Sequence, residues 1–240
     1  MLKPISETRW KDYGVDVKWK RAWRQHPMYV TPRDRVVMLR IQHRNLRVGK
    51  NGGFDNTQCT VHGCAHEENQ DHLLTCAAPG GLREYWRDVW DIATRLRLTA
   101  TQLTDPELQT TCLTGILRGK AVNRELSALL TWAWRSLYAE TTKARIENQR
   151  FNKTSALYML TRYVYSRVTA YGHKWKRWFN RQRLWQPGTT KKVGSEHQDY
   201  ILIQVDEDAN YDLSPELKSL YEERVNTPNR LQNQIRRQAR

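Results

Sequence analysis

Apolar residues return along most of this chain at the intervals of a helix face. Between 155 and 185, Leu157, Leu160, Val164, Val168, Tyr171, Trp175 and Trp178 follow one another at three, four, four, three, four and three, a clear helical period. From about 121 to 150, Val122, Leu126, Leu129, Ala133 and Leu137 form a second stripe, with Trp132 and Trp134 beside it. Residues 152–154 are the expected turn, which makes the two an antiparallel helical hairpin. Upstream, Tyr85, Trp86, Val89, Ile92 and Leu96 mark the inner face of a helix over 82–98, started after the breaker run Pro79-Gly80-Gly81.

Shorter elements flank these. Thr31-Pro32 offers an N-cap and a first helical residue, and Val36, Leu39, His43 and Leu46 predict a helix that ends near Gly49. Thr104-Asp105-Pro106-Glu107 is another cap-like start, for a short helix reaching about Leu117, and Gly115 and Gly119 bracket a turn. Residues 201–205 read as one short strand. Ser214-Pro215 starts a helix expected to stop before Pro228, and 231–240 reads as a frayed basic tail. The fold class is mainly α: a helical bundle with a small Cys3His zinc-stabilised loop-helix unit and a short mixed C-terminal segment. The expected organisation is a basic, aromatic N-terminal arm over 1–30, a zinc-binding unit over 31–98, a basic helical bundle over 99–190, and an acidic segment with a basic tail over 191–240.

Charge sharpens this picture. The 240 residues carry 40 Lys and Arg against 25 Asp and Glu, a formal net charge of +15, so an acidic partner is expected, nucleic acid first. Between Lys143 and Arg183 eleven basic residues meet a single acid, Glu147, whereas 195–224 holds nine acids and two basic residues. The second stretch reads as a separate unit or as an acidic cover over the basic surface. In the N-terminal arm, Trp10, Trp19 and Trp23 alternate with cations, the pattern of a single-strand contact or of an amphipathic arm docked on the body. No stretch has the length and apolarity of a membrane span, and the first ten residues contain no apolar secretory core.

The candidate chemistry lies between Cys59 and Cys76. Three of the four cysteines fall there, as Cys59-x4-Cys64 followed by His72-x3-Cys76. Thiolates and imidazole in a Cys3His set close a tetrahedral structural zinc site. Gly63 relieves the loop between the first two ligands, and a helix over 71–77 would project His72 and Cys76 from one face. His62, at Cys-x2-His spacing, is the rival ligand, and His66 sits too close to Cys64. One structural Zn2+ is the expected cofactor. With three thiolates and a neutral imidazole it sums to −1 and adds no attraction for phosphate. Three clustered cysteines with a distant Cys112 make no disulfide framework, so the expected setting is intracellular, nuclear or cytoplasmic, and not secreted; Cys112 is expected in a core.

Around this motif stand Leu46-Arg47-Val48-Gly49-Lys50-Asn51, Glu68, His72-Leu73-Leu74, Cys76, Trp86 and Trp90, and further on Trp132-Ala133-Trp134-Arg135. Together they resemble the zinc-binding segment that follows the reverse transcriptase domain in non-LTR (LINE-like) retrotransposon polyproteins. The resemblance covers 20–140 and is specific between Leu46 and Trp90; the wider Cys-x4-Cys spacing departs from the family and leaves the ligand set open. It implies nucleic-acid binding rather than a reaction, with a reverse transcriptase domain of the same polyprotein as a further partner; separately, the abundant aromatics suit unstacked bases and favour RNA or single-stranded DNA. The candidate contacts are Arg40, Arg44, Arg47, Lys50, Arg162, Arg167, Lys174, Lys176, Arg177 and Arg181.

No catalytic residue is assigned. The chain has no Asp-Asp pair for two magnesium ions and no phosphate-binding glycine loop. Glu216-x-Lys218, with Asp206 or Asp208, is the weak half of an endonuclease-like signature, and Glu216 falls where a helix first turn favours an acid for structural reasons. A helical protein-interaction module is the alternative reading.

Overall fold

The computed structural model describes residues 29–43, 46–185, 201–205 and 211–229, without the side chains of residues 50, 51, 174–185 and 205. The helices in chain order are α1 (Pro32–Gln42), α2 (His72–Thr75), α3 (Leu82–Arg95), α4 (Asp105–Thr114), α5 (Arg124–Ile146), α6 (Lys153–Trp185) and α7 (Pro215–Tyr221). Two small antiparallel pairs join them, β1 (Ile116–Leu117) with β2 (Lys120–Ala121), and β3 (Ile203–Val205) with β4 (Tyr211–Leu213). The fold is therefore mainly α, with a short mixed C-terminal segment.

The central element is α5. Leu126, Ala128, Leu129, Leu130, Trp132, Ala133, Trp134 and Leu137 are all buried, so the helix is apolar around most of its circumference and belongs inside the bundle. After a turn over 147–152, α6 folds back along it and buries Leu157, Leu160, Val164 and Val168. On another side α3 contributes Tyr85, Trp86, Val89, Ile92 and Leu96, all at most 1% exposed. Most of the large rings bury their polar atoms with partners, as buried donors usually do; Trp132 Nε1 is the exception, buried without one. Tyr85 Oη donates to the Ala133 carbonyl (2.7 Å), Trp134 Nε1 to Cys112 (2.8 Å) and Trp86 Nε1 to Leu73 (2.9 Å). Cys112 lies in this core, fully buried.

Helix starts follow the local chemistry. Thr31 with Asp34, and Thr104 with Glu107, form reciprocal capping boxes, and Asn123 and Ser214 accept from Leu126 and Leu217. Several expected boundaries move. The first helix stops at Gln42, before Gly49, because the chain leaves it to bury Leu46 and Val48 separately. Gln70 holds that exit: its amide donates to the Ile41 carbonyl and accepts from Leu46 N at 3.2 Å.

The aliphatic positions whose spacing marks α1 do not face the core. Val36 and Leu39 are 47% and 46% exposed, and the face turned inward carries Asp34, Ile41 and Gln42. Asp34 is fully buried because Thr31 and Arg135 satisfy its carboxylate. At the other end of the chain, α7 continues through a wider helical turn, Glu222–Asn226, to residue 229, past Pro228.

The C-terminal segment packs on α6. Tyr211 lies against Gly172, where an added Cβ would stand 2.2 Å from the ring, and Tyr165 stacks on Tyr221 at 3.8 Å. Its backbone is tied to the start of α5 as well. Glu125 accepts from Ile201 N (2.8 Å), Leu202 N (3.2 Å) and Tyr29 Oη (2.5 Å). Burial raises the Glu125 carboxyl above its ordinary range while those three donors pull against the rise. Two acids of this segment pair with arginines at and just after the end of α3: Glu223 with Arg95 (2.7 Å) and Glu216 with Arg97 (2.8 Å).

Candidate metal centre and its basic surroundings

Cys59, Cys64, His72 and Cys76 come together, with one ligand atom from each lying within 4.8 Å of all the others. Cys59 and Cys76 Sγ are 4.0 Å apart, and Cys64 Sγ is 3.3 Å from His72 Nε2. The first two ligands sit on a folded-back loop. Cys59 N donates to the His66 carbonyl (2.8 Å), Glu68 N to Thr57 (2.8 Å) and Cys64 N to Val61 (3.2 Å). Gly63 turns that loop at φ +72, a conformation that costs other residues strain. Val61 N points at Cys59 Sγ (3.5 Å), the kind of donor that steadies a sulfur once it carries charge.

The other two ligands flank a single helical turn, shorter than the helix expected over 71–77. Asn69 opens α2 by accepting from His72 N at 2.8 Å, and Cys76 N closes it onto the His72 carbonyl at 3.0 Å. His62 is exposed and outside the four-residue cluster; His66 is exposed too, its ring 5.6 Å from that of His72. Burial pushes the Cys59 and Cys76 thiols up and lowers the His72 imidazole. A metal that binds here would displace thiol protons as it does so. The arrangement can hold one metal ion.

The site is built into the end of the α5–α6 hairpin. Arg145, near the end of α5, donates to the carbonyls of Asn56 and Gln58 (3.0 Å for the latter), and its Nη2 lies 2.7 Å from Glu68 Oε1. The two side chains are only 4% and 2% exposed, and the Phe54 ring lies 5.3 Å from the guanidinium. Thr60 Oγ1 donates to the second Glu68 oxygen (3.3 Å), and Phe151 N, in the hairpin turn, donates to the Thr60 carbonyl (2.9 Å). One guanidinium thus holds both arms of the ligand loop, just before Cys59 and four residues before His72. Burial pushes the Glu68 carboxyl up, against the pull of Arg145 and Thr60. Gly49 packs on the same arm, where a Cβ would stand 2.1 Å from the Glu68 carbonyl oxygen.

The candidate nucleic-acid contacts divide. Arg40, Arg47 and Arg162 are exposed, with Arg162 lying 5.7 Å from the Tyr158 ring. Arg167 is half-buried with Nε 4.0 Å from Asp34, which makes it an internal partner. Lys50 lies in the turn Gly49–Gly52, and Lys174, Lys176, Arg177 and Arg181 lie on the last turns of α6; the side chains of all five are outside the described residues, as is Arg44 entirely. Asp206 and Asp208 fall outside as well. Lys218 pairs with Asp212, and Glu216 stands in the first turn of α7.

Fold and site define a class: a mainly helical protein with a Cys3His cluster latched to a helical hairpin. No protein-family model, no curated protein and no solved structure matches the chain. Among the described residues no helix is long and apolar enough to cross a membrane.

Proposed function

We propose that the cluster holds one structural zinc ion and that the chain is a nucleic-acid-binding module. On this reading it is akin to the segment that follows the reverse transcriptase domain in non-LTR retrotransposon polyproteins, acting beside such a domain. The observation that carries the reading is the Cys3His cluster on a chain of net charge +15. Zinc–sulfur bonds of about 2.3 Å around a tetrahedron give sulfur–sulfur edges of about 3.8 Å; the Cys59–Cys76 separation of 4.0 Å is close to that edge. Four protein ligands leave no open position for water, so the zinc is an organiser and not a reaction centre. Phosphate contacts from the exposed arginines and the distal turns of α6 would supply affinity with little sequence reading. Aromatic residues interleaved with cations favour RNA or single-stranded DNA over duplex.

The test is fluorescence anisotropy of the zinc-loaded chain with a labelled 20-nucleotide RNA and a 20-base-pair duplex across a salt series. Four phosphate contacts to a single strand should give a log–log slope of about −3. A flat response, or no binding at low salt, would remove the reading.

A further inference from the structure

The outer face of α1 belongs to neither the core nor the metal centre. Three large hydrophobic residues are exposed among the described residues, and two of them, Val36 and Leu39, lie on this helix. Val36, Leu39 and His43 follow at three and four, the a–d–a interval along which two helices zip together. Ile41, at the opposite f position, is fully buried, so this ridge points directly away from the bundle. Arg33 and Arg40 stand at e positions and Arg35 at the preceding g, all exposed; the helix's single acid, Asp34, is buried on the inner side.

We propose that this ridge is a docking site for an acidic amphipathic helix of a partner protein, whose apolar seam covers Val36 and Leu39 while its flanking carboxylates meet the arginines. Charge complementarity selects that occupant. A second copy of the chain would set arginine against arginine. Residues 1–28 carry seven Lys and Arg against three Asp and Glu, the same sign as the ridge. Phosphate would satisfy the arginines but leaves the two aliphatic residues at the centre without a use. The proposal goes beyond nucleic-acid binding and shares only Arg40 with it.

The experiment uses the full metal-loaded chain and a labelled 21-residue peptide of three heptads with Val at a, Leu at d and Glu at e and g; repulsion among the glutamates keeps the probe from pairing with itself. Saturable binding is expected, weakened at least tenfold by Val36→Asp with Leu39→Asp and by changing the peptide glutamates to lysine. Arg33→Glu with Arg40→Glu should reverse the preference, so that the lysine peptide binds better. The altered side chains are exposed, and near-UV circular dichroism with metal content confirms that the variants fold. No saturable binding, equal affinity for both peptides, or indifference to the Val36 and Leu39 changes would each overturn the proposal. So would a tenfold loss of RNA or duplex affinity in the Val36/Leu39 variant without peptide binding, which would give this face to nucleic acid.

Discussion

Replacing Arg145 by methionine keeps most of the buried stem and removes the charged fork. What remains is a Glu68 carboxylate 2% exposed with no cation, and two loop carbonyls, at Asn56 and Gln58, without their donor. Removing one partner of a buried pair costs about 3–5 kcal/mol, most of it the cost of the charge left behind. That is a large share of the roughly 5–15 kcal/mol that holds a domain folded. Because the guanidinium grips both arms of the ligand loop, the loss should fall on metal binding too, by up to about two to three and a half decades at 1.4 kcal/mol per decade. Urea unfolding of the metal-loaded protein and competition with a calibrated chelator measure the two effects. Neutralising the orphan by Glu68→Gln in the same chain should recover part of the loss, giving a coupling of about 1.5–3 kcal/mol in a double-mutant cycle. Arg145→Lys should lie between, since an ammonium keeps the charge without the planar fork. A cost below about 1 kcal/mol for Arg145→Met, or additivity within about 0.5 kcal/mol, would refute the latch.

Three further outcomes are expected. Cys76→Ala or His72→Ala should abolish metal retention while His62→Ala keeps one ion per chain, as read by elemental analysis; retention that depends on His62 would change the ligand set. Burial alone would raise the Asp34 carboxyl, but Thr31 and Arg135 more than offset it and hold it below its ordinary value. Its contribution is therefore full above the unfolded value of about 3.9 and lost as pH falls through the depressed folded value. The stability gap between the protein and Asp34→Asn should be constant from pH 7 to 5 and shrink below about 4; a gap that widens in acid would contradict the assignment. Gly172→Ala, a change that normally favours a helix by about 1 kcal/mol, should instead destabilise by about 1–3 kcal/mol because its Cβ meets the Tyr211 ring. In a Tyr211→Ala background the same change should become stabilising; thermal melts of the four variants decide it.

The long helices were legible because their inner faces are apolar: the stripe from Leu157 to Val168 and that from Leu126 to Leu137 are the buried positions. In α1 the spacing marked the helix but not the side it turns inward, since the inward face carries Asp34, Ile41 and Gln42 while Val36 and Leu39 stand outside. The four residues of the Cys3His cluster were readable from residue type and spacing, with His62 as the alternative. Their support was not, because no periodicity connects Glu68 to Arg145. For the same reason a count of cations between 143 and 183 does not show which of them are already paired. Lys153 finds Glu84 and Asp88, Arg145 finds Glu68 and Arg167 finds Asp34, all supplied from far back in the chain. Charge counted along a segment misses neutralisation across the fold. The β1–β2 pair, two residues a side, is too short to leave any alternation.

The Trp86 side chain gives the protein an internal optical gauge. Its indole N–H is held by the carbonyl of Leu73, the residue after a metal ligand, and its ring sits 4.7 Å from that of Trp134 in the middle of the bundle. Loosening of the one-turn helix α2 would free that N–H from its partner while the rest of the bundle can still hold. Emission should then shift to the red at an early stage of ion loss, distinct from the later change when the whole protein unfolds. A stopped-flow trace after mixing with chelator would resolve the two stages in a single unlabelled sample, and Trp86→Phe would silence the first.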